Sequence, residues 1–215
     1  MEKNPRYVTP TGIAMYPWLN KPDTKFDPDG LYHVNLKFEK ESPELDFLLK
    51  DLEKMLEDYY QAACDNPKYA KFKSKIQKAD IFEEDDEGCK VLKFKQKAVI
   101  KSVKGTFNAK IALFDSKGKP SKDTVGGGSQ IKVCFSAIPY FVPSTKTVGL
   151  TLRPVAVQII SLQSINGSSA ESYGFKSEEG GYEYTPSEND SHFEEDSLDD
   201  EGFYDDEDSE EASRF

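Results

Sequence analysis

The sequence predicts a mainly β protein: a five-stranded OB-fold barrel with one inserted α-helix and a disordered acidic C-terminal tail. Three observations predict this fold class. Several short segments alternate apolar and polar residues with the period of two that is typical of strands. One long segment instead repeats apolar residues every three or four positions, which indicates a single amphipathic helix. Glycine-rich turns separate the strands, and the last fifty residues contain too few apolar side chains to fold alone.

Charge divides the 215-residue chain into two parts. Residues 166–215 hold 18 acidic and 2 basic residues, a net charge of −16, whereas residues 1–165 hold 21 acidic and 26 basic residues, a net charge of +5. We predict an OB-fold domain over 1–165 and a disordered tail over 166–215. A polyanionic tail of this kind can lie in a cationic groove in place of nucleic acid.

The first elements are strands around a loop. Residues 6–16 predict an irregular strand that is broken by Pro10 and Gly12. Residues 17–29 are rich in turn formers and predict a loop. Residues 31–38 then alternate apolar and polar side chains, so they predict a second strand with one buried face.

One helix follows, and its limits are set by capping residues. Ser42-Pro43 predicts the helix start, because a serine hydroxyl caps free backbone amides and proline is favoured in the first turn. The apolar stripe extends the helix over 43–63, and Asn66-Pro67 ends or kinks it. Core packing explains this stripe better than a partner surface does. Residues 68–78 form a short basic segment that is predicted helical, and residues 80–88 are predicted to be an acidic loop.

The C-terminal half of the domain predicts strands and tight turns. Alternation and glycine bends fix their approximate limits. The predicted order is a strand over 90–101, a turn at Lys104-Gly105, a return strand over 106–114, a turn over 115–120, a glycine bend at 126–129, a strand over 130–138, a loop over 139–146, and the last strand or strands over 148–162.

Basic side chains are concentrated in residues 90–153, where 13 Lys and Arg stand against Asp115 and Asp123, a net charge of +11. Lysines on one barrel face can neutralise a phosphate backbone, which gives an affinity that falls with salt. The alternative is a solvated strand face, since exposed strand lysines also deter edge aggregation. The basic candidates for a nucleic-acid site are Lys21, Lys93, Lys95, Lys97, Lys110, Lys132 and Arg153.

Aromatic residues near these lysines favour the binding interpretation. Exposed rings stack on unpaired bases, and each stacked base contributes about 1–3 kcal/mol without sequence preference. A single aromatic ring is more often part of a core, so each candidate has this alternative. The aromatic candidates are Tyr16, Trp18, Phe107, Tyr140 and Phe141.

Signals for catalysis and metal binding are weak. The glycines at 126–128 lack the Gly-Lys-Ser/Thr of a P-loop, and neither His33 nor His192 has a partner pattern for acid–base chemistry. We therefore expect no enzyme activity, no metal and no cofactor. Three widely spaced cysteines suggest free thiols in a cytoplasmic compartment, and neither a signal peptide nor a membrane span is expected.

Motifs through most of the domain, in order, resemble a known family: the single-stranded-DNA-binding proteins of Teseptimavirus-type short-tailed bacteriophages. The spacing of the Asp-Ser-Lys-Gly-Lys motif and the triple glycine is fairly specific. The matching segments are Leu19-Asn20-Lys21-Pro22-Asp23, Gly30-Leu31-Tyr32-His33-Val34-Asn35-Leu36, Lys93-Phe94-Lys95, Asp115-Ser116-Lys117-Gly118-Lys119, Gly126-Gly127-Gly128-Ser129, Ile138-Pro139-Tyr140, and the acidic tail that ends in Phe215.

This resemblance implies an OB-fold with a helix inserted between strands, and binding of single-stranded DNA (ssDNA) in phage replication, recombination, repair and strand annealing. It implies that Lys93, Lys95 and Tyr140 face DNA. It also implies that the tail contacts the replicative DNA polymerase and the helicase-primase and can support a homodimer in the bacterial host cytoplasm. The tail residues expected to bind these partners are Glu207, Asp208, Glu210, Glu211 and Phe215.

Other functions stay open at this stage. An acidic-tailed protein-interaction module or chaperone would bind ssDNA weakly and would not depend on Lys95. A barrel enzyme that acts on nucleic acid would show turnover and require a metal. RNA is also a candidate ligand, because base stacking does not distinguish the two sugars.

Overall fold

The structure, a computed structural model, describes residues 5–25, 27–102 and 105–163, apart from the side chains of Ala70, Phe72 and Ser102. The predicted tail over 166–215 lies outside these residues, so its disorder and the domain boundary at 165 stay predictions. The strands are β1 (Arg6–Val8), β2 (Gly12–Asp23), β3 (Leu31–Lys37), β4 (Gln77–Lys78), β5 (Glu83–Glu84), β6 (Lys90–Lys97), β7 (Val99–Ser102), β8 (Gly105–Asn108), β9 (Ala112–Phe114), β10 (Gln130–Val142) and β11 (Thr147–Ser161). The helices are α1 (Pro43–Asp65) and a 3-10 helix (Pro67–Lys75).

Five of these strands close into a barrel. β2 pairs with β3, β3 with β6, β6 with β11, β11 with β10, and β10 again with β2. Only the β6–β11 pair within this circuit is parallel. The circuit closes through short contacts, one residue pair between β6 and β11 and two between β10 and β2. The predicted five-stranded OB-fold is confirmed, with α1 in the long connection between β3 and β6.

Strand alternation fills the barrel as the sequence predicts. On β3, Val34 and Leu36 are fully buried, and across the pair they meet Phe94 and Leu92 of β6. Phe94 packs edge-on against Phe135 of β10, with ring centroids 5.1 Å apart. Because inner residues alternate with outer ones, each barrel strand also presents a row of polar side chains to solvent.

The helix α1 begins where the cap signal predicts and ends two residues beyond the predicted limit. The Leu45 amide donates to Ser42 Oγ at 3.4 Å, so Ser42 caps the first turn. Asn66 ends α1 and starts the 3-10 helix, because its Oδ1 accepts from the Lys68 amide at 3.0 Å. No helix in the described ranges combines the length and apolar character needed to cross a membrane.

The predicted loop over 17–29 is wrong for residues 17–23, because β2 continues through Asp23, whereas residues 24, 25 and 27–29 lie between strands as predicted. Two register shifts absorb the turn-forming sequence: a β-bulge in which Tyr16 and Pro17 stand opposite one residue of β3, and a second shift in which residues 19–22 do so between Trp18 and Asp23. Tyr16 takes a left-handed backbone with φ of 50°. Asn20 then holds the neighbouring segment, since its Oδ1 accepts from the Val125 amide at 3.1 Å.

Two other predicted limits are also wrong. The return strand over 106–114 is two strands, and β9 leaves the β7–β8 hairpin to pair in parallel with β11. The first half of the predicted loop over 139–146 is strand, because β10 continues to Val142, which pairs with Thr147 of β11, and residues 143–146 form the turn. The hairpin predicted at Lys104-Gly105 is confirmed by the β7–β8 pairing, although Lys104 itself lies outside the described residues.

Candidate nucleic-acid interface

Six outward-facing residues from six strands line up across the barrel, and we call them the transverse row. Directly opposed residues of paired strands share one face of the sheet, so strand register alone determines the row. The transverse row comprises Trp18 (β2), His33 (β3), Lys95 (β6), Arg153 (β11), Ser136 (β10) and Arg6 (β1).

One half of the row is aromatic and basic. Trp18 lies opposite His33, with ring centroids 6.4 Å apart, and His33 lies opposite Lys95. The Asp23 carboxylate reaches His33 Nε2 at 3.4 Å. The Lys25 amide, which donates to Asp23 Oδ1, is the largest cause that holds the pKa of the Asp23 carboxyl below its ordinary value, and His33 adds to it. The indole and the imidazole therefore form an aromatic platform, with 38° between the ring planes, next to the strand that carries Lys95.

The other half of the row contains two arginines, one on each side of Ser136. Ser136 on β10 lies opposite Arg153 on one side and Arg6 on the other. The parallel contact between buried Phe94 and Leu152 places Lys95 next to Arg153, since each directly follows one of these residues. Register thus places Lys95 beside Arg153, and it places Arg6 two strands from Arg153, beyond Ser136.

A groove of about 540 Å³ lies beside the centre of the row. Lys95, Lys97 and Arg153 line it, and the β7–β8 hairpin supplies Ile100 and Lys101 along its other wall. The groove thus combines cationic side chains with the apolar Ile100, which suits a strand that offers both phosphates and bases. Asp27 and Asp29 also line it, where they pair with Lys97 and Lys101.

Basic residues in and near the row are of two classes: those with an ion-pair partner among the described residues and those without one. Lys95 and Arg153 make no ion pair with any residue that the structure describes. Their charges are therefore available to a ligand, whereas those of three neighbours are partly neutralised. The paired atoms are Lys93 Nζ with Glu83 Oε1 (2.6 Å), Lys97 Nζ with Asp27 Oδ2 (3.7 Å) and Lys101 Nζ with Asp29 Oδ2 (2.5 Å).

The β2 bulge exposes two aromatic rings side by side. Tyr16 is 71% exposed and Trp18 is 45% exposed. A left-handed tyrosine costs backbone energy, and such strain is concentrated at functional sites. Lys21, farther along β2, is also exposed and makes no ion pair within the described ranges. The bulge thus presents stacking groups beside a cation.

Tyr140 lies on the same outer face as Arg153, nearer the tip of the β10–β11 hairpin. Its partner across the hairpin is Gly149, and the Tyr140 ring lies over that glycine. A Cβ at position 149 would come within 2.5 Å of Tyr140 Cζ. Because Gly149 has no side chain, the Tyr140 ring can lie against the backbone and stay half-buried.

We expect Gly149→Ala to displace the Tyr140 ring and to weaken ssDNA binding by about 3- to 10-fold, if Tyr140 stacks as predicted. The added methyl meets a side chain that can rotate away, so the fold should survive. Anisotropy with labelled oligo-dT measures the affinity, and thermal unfolding is the control. An affinity that matches that of Tyr140→Ala would show that the methyl acts through the ring, and an unchanged affinity would exclude Tyr140 from the contact.

The structure places the remaining candidates at different distances from the row. Phe107 is exposed on β8, directly opposite the groove residue Ile100. Lys110 precedes β9 at the same edge of β11 that β6 occupies. Lys132 lines a separate groove of about 320 Å³, and Phe141 packs against Tyr69 with ring centroids 4.2 Å apart. A direct role for each of these four stays a prediction. The tail candidates Glu207, Asp208, Glu210, Glu211 and Phe215 lie outside the described residues.

Sequence reasoning missed three members of the row: Arg6, His33 and Ser136. Arg6 stands alone near the N-terminus, and only the pairing of β1 with β10 places it opposite Ser136. His33 was assigned to the polar face of a strand, which is correct, but its position between Trp18 and Lys95 depends on two registers. The alternation of β3 could have indicated that His33 faces the same solvent as Lys95.

A second polar cluster lies away from the row. Asp85, Glu87 and Cys89 bring potential ligand atoms within 4.8 Å of one another. The Lys37 ammonium already lies between the carboxylates, 2.7 Å from Asp85 Oδ2 and 2.5 Å from Glu87 Oε2. These contacts, chiefly with Asp85, raise the pKa of Lys37 and account for the cluster as an ion pair.

Comparison with known proteins identifies the family. The family described as "Single-stranded DNA-binding protein, Bacteriophage T7" matches residues 11–162, which is most of the chain. The chain belongs to this family. It is 28% identical over 195 residues to the single-stranded DNA-binding protein of Enterobacteria phage T3, covering 82% of this chain and 84% of that protein. It is 29% identical over 185 residues to the protein of the same description from Escherichia phage T7, covering 78% and 79% respectively.

A solved structure of the family has the same fold. The crystal structure of gp2.5, a single-stranded DNA-binding protein encoded by bacteriophage T7, aligns with a TM-score of 0.67 at 26% sequence identity. The alignment covers 85% of this chain and 100% of that one. The family match spans β2 to β11, so it includes every strand of the barrel and five of the six residues of the transverse row; Arg6 alone precedes it.

Proposed function

We propose that this chain is a non-enzymatic ssDNA-binding protein that acts in phage DNA replication, recombination, repair and strand annealing in the host cytoplasm. The transverse row is the observation that supports this most directly. It combines a stacking platform, Trp18 with His33, and unpaired cations, Lys95 with Arg153, on the outer surface of four consecutive barrel strands. Membership of a family described by ssDNA binding supports the same ligand.

The proposed mechanism separates two kinds of contact. Lys95, Arg153 and Arg6 neutralise successive phosphates, which gives a sequence-independent affinity that falls with salt. Trp18 and Tyr16 stack on bases, which are accessible only when the strand is unpaired. Duplex DNA offers the phosphates but not the base faces, so it loses the second contribution. Strand annealing follows when the bases of two bound complementary strands leave the rings and pair with each other.

The acidic tail is proposed to regulate this face and to recruit partners. With a net charge of −16, residues 166–215 can compete with DNA for the cationic row, and Phe215 can occupy a stacking position. When DNA displaces the tail, its acidic end becomes available to the replicative DNA polymerase and the helicase-primase. A homodimer supported by the same tail is part of this proposal.

Truncation to residues 1–177 is expected to tighten ssDNA binding by about 10-fold at low salt, because the truncated chain loses a competing polyanion. The difference should shrink as salt rises, since screening weakens the competition. Fluorescence anisotropy of labelled oligo-dT over a salt series measures both effects. Loss of tail-mediated partner binding is expected in the same truncated chain.

A full-length variant provides the matched control. Replacing Glu207, Asp208, Glu210 and Glu211 with Gln or Asn keeps the length and Phe215 but removes four charges. An intermediate affinity supports electrostatic competition. If truncation weakens binding, the tail does not compete with DNA. If the full-length and truncated chains both fail to bind at low salt, the row is a solvated surface and an acidic-tailed interaction module becomes the better explanation.

A further inference from the structure

We infer that the 3-10 helix and β4 form a second phosphate-binding segment that extends the ssDNA path beyond Tyr140. We call residues 66–79 the basic extension. This inference rests on the proposed function and adds a site that the transverse row does not include. It is carried by the charge of the segment, by its attachment to β11, and by the side of the barrel on which Lys75 lies.

The basic extension is strongly cationic. Residues 66–79 contain five lysines and no Asp or Glu. Lys73 pairs with Asp65 at 3.1 Å and Lys78 with Glu57 at 2.7 Å. The other three are exposed and make no ion pair with a described residue; they are Lys68, Lys71 and Lys75. Three unpaired ammonium groups on one short segment repel one another, and a polyanion would relieve that repulsion.

Strand pairing attaches this segment to the outer face that carries Tyr140. β4 pairs in parallel with β11, and Gln77 lies beside Thr147. The Gln77 amide donates to the Lys146 carbonyl at 3.0 Å, and Gln77 Nε2 donates to Thr147 Oγ1 at 3.4 Å. Thr147 alternates in phase with Gly149 and Arg153, so it faces the same side as the transverse row. Gln77 therefore lies beside Thr147, two residues along β11 from Gly149, over which the Tyr140 ring lies.

Packing on the inner side determines which side chains point outward. Ile76 is buried in a small cluster with Val148, so its neighbours Lys75 and Gln77 are exposed on the outer side of the segment. The ring contact between Tyr69 and Phe141 anchors the preceding turn to β10. Phe141 thus contacts the extension on the inner side of the sheet, whereas Tyr140, the preceding residue, faces the outer side.

These positions define a continuous route along β11. From Lys95 and Arg153 in the row, the outer face passes Thr151, then Gly149 with Tyr140, then Thr147 with Gln77, and ends at Lys75. Between the cations it carries hydroxyls, an aromatic ring and an amide. No described carboxylate pairs with Lys75 at its end. A phosphate backbone fits this sequence of groups, and OB-folds engage about 4–16 nucleotides, enough for a strand to continue past the row.

The test compares short and long oligonucleotides on the full-length chain. We expect Lys71→Ser with Lys75→Ser to weaken binding of an oligo-dT of about 16 nucleotides on the order of 10-fold, and to change binding of one of about 8 nucleotides by less than about twofold. The salt slope for the long oligonucleotide should fall by about 1.4, since each lost phosphate contact on a single strand removes about 0.7. The matched control is Lys50→Ser with Lys54→Ser on α1, which removes the same charge and should change neither affinity.

Each outcome decides one question. If the wild-type chain binds neither oligonucleotide, the proposed function fails. If the wild-type chain binds both oligonucleotides and the variant has the same affinity for the long one, the extension is not part of the DNA path, although ssDNA binding stands. If the variant binds DNA more tightly, the extension holds the acidic tail instead, and the inference is overturned. If the variant loses the same affinity for both lengths, or if the α1 control loses as much, the effect comes from net charge. Either result would also overturn the inference.

Discussion

The double substitution Lys95→Ala with Arg153→Ala is expected to weaken oligo-dT binding on the order of 100-fold at low salt. A hydrogen bond to a charged group contributes about 1.5–3 kcal/mol, and about 1.4 kcal/mol changes an affinity tenfold. Both side chains line the same groove, and neither has an ion-pair partner in the described part of the chain, so no internal contact offsets the loss. The salt slope should fall by about 1.4. Stability should not decrease, because both side chains are exposed.

The matched control removes two exposed lysines elsewhere. Lys117 and Lys119 belong to the turn after β9, where Gln158 Nε2 donates to the Ser116 carbonyl at 3.1 Å. Gln158 is five residues along β11 from Arg153, about 16 Å in a strand. If Lys117→Ala with Lys119→Ala weakens binding as much as the row substitutions do, the affinity depends on net charge alone and the row has no special role.

A graded comparison within β6 sharpens this prediction. Lys93 faces outward like Lys95, but Glu83 pairs with it at 2.6 Å. DNA must replace that carboxylate before it gains the lysine charge, so Lys93→Ala should cost less affinity than Lys95→Ala. Removing the carboxylate with Glu83→Gln should tighten binding slightly. These differences separate an available charge from one that the fold already uses.

Local signals predicted the elements whose conformation depends on neighbours in sequence. The alternation of residues 31–38 and the Ser42 cap each determine a structure by nearby contacts, and both predictions are confirmed. The five-stranded barrel follows from strand count and turns. Residues 17–23 were misassigned because Pro17, Asn20 and Pro22 normally indicate loops, whereas two register shifts and the contacts of Asn20 with residues 122–125 accommodate them in a strand.

The binding face depends on contacts that the sequence does not display. Strand register puts Arg6 and Arg153 on either side of Ser136, although they are far apart in the chain. The pairing of Lys97 with Asp27 depends on a loop that joins two other strands. A sequence count of lysines therefore identifies a basic face, but it cannot distinguish lysines that are available from those that are already paired.

Replacing Trp18 with alanine is expected to weaken oligo-dT binding by about 5- to 150-fold, the equivalent of the 1–3 kcal/mol that stacking contributes per base. Trp18 is the only tryptophan in the chain, so its fluorescence reports directly on this position. We expect ssDNA to quench that fluorescence in the wild-type protein. Because the indole is uncharged, the salt slope should stay unchanged, unlike that of the Lys95 and Arg153 variant. Trp18→Phe should retain part of the affinity.

Phe47→Ala is the matched control, because Phe47 is 70% exposed on α1 and has no place in the transverse row. Loss of an exposed ring from α1 should leave DNA affinity within about twofold of the wild type, since no base reaches it. If Trp18→Ala binds as tightly as Phe47→Ala and ssDNA does not quench the indole, the Trp18–His33 platform is a surface feature. Stacking would then depend on Tyr16 and Tyr140, and if their alanine variants also keep the affinity, the cations alone hold the strand and duplex DNA should bind nearly as well as ssDNA. A large loss with an unchanged salt slope would instead assign the discrimination against duplex to this ring.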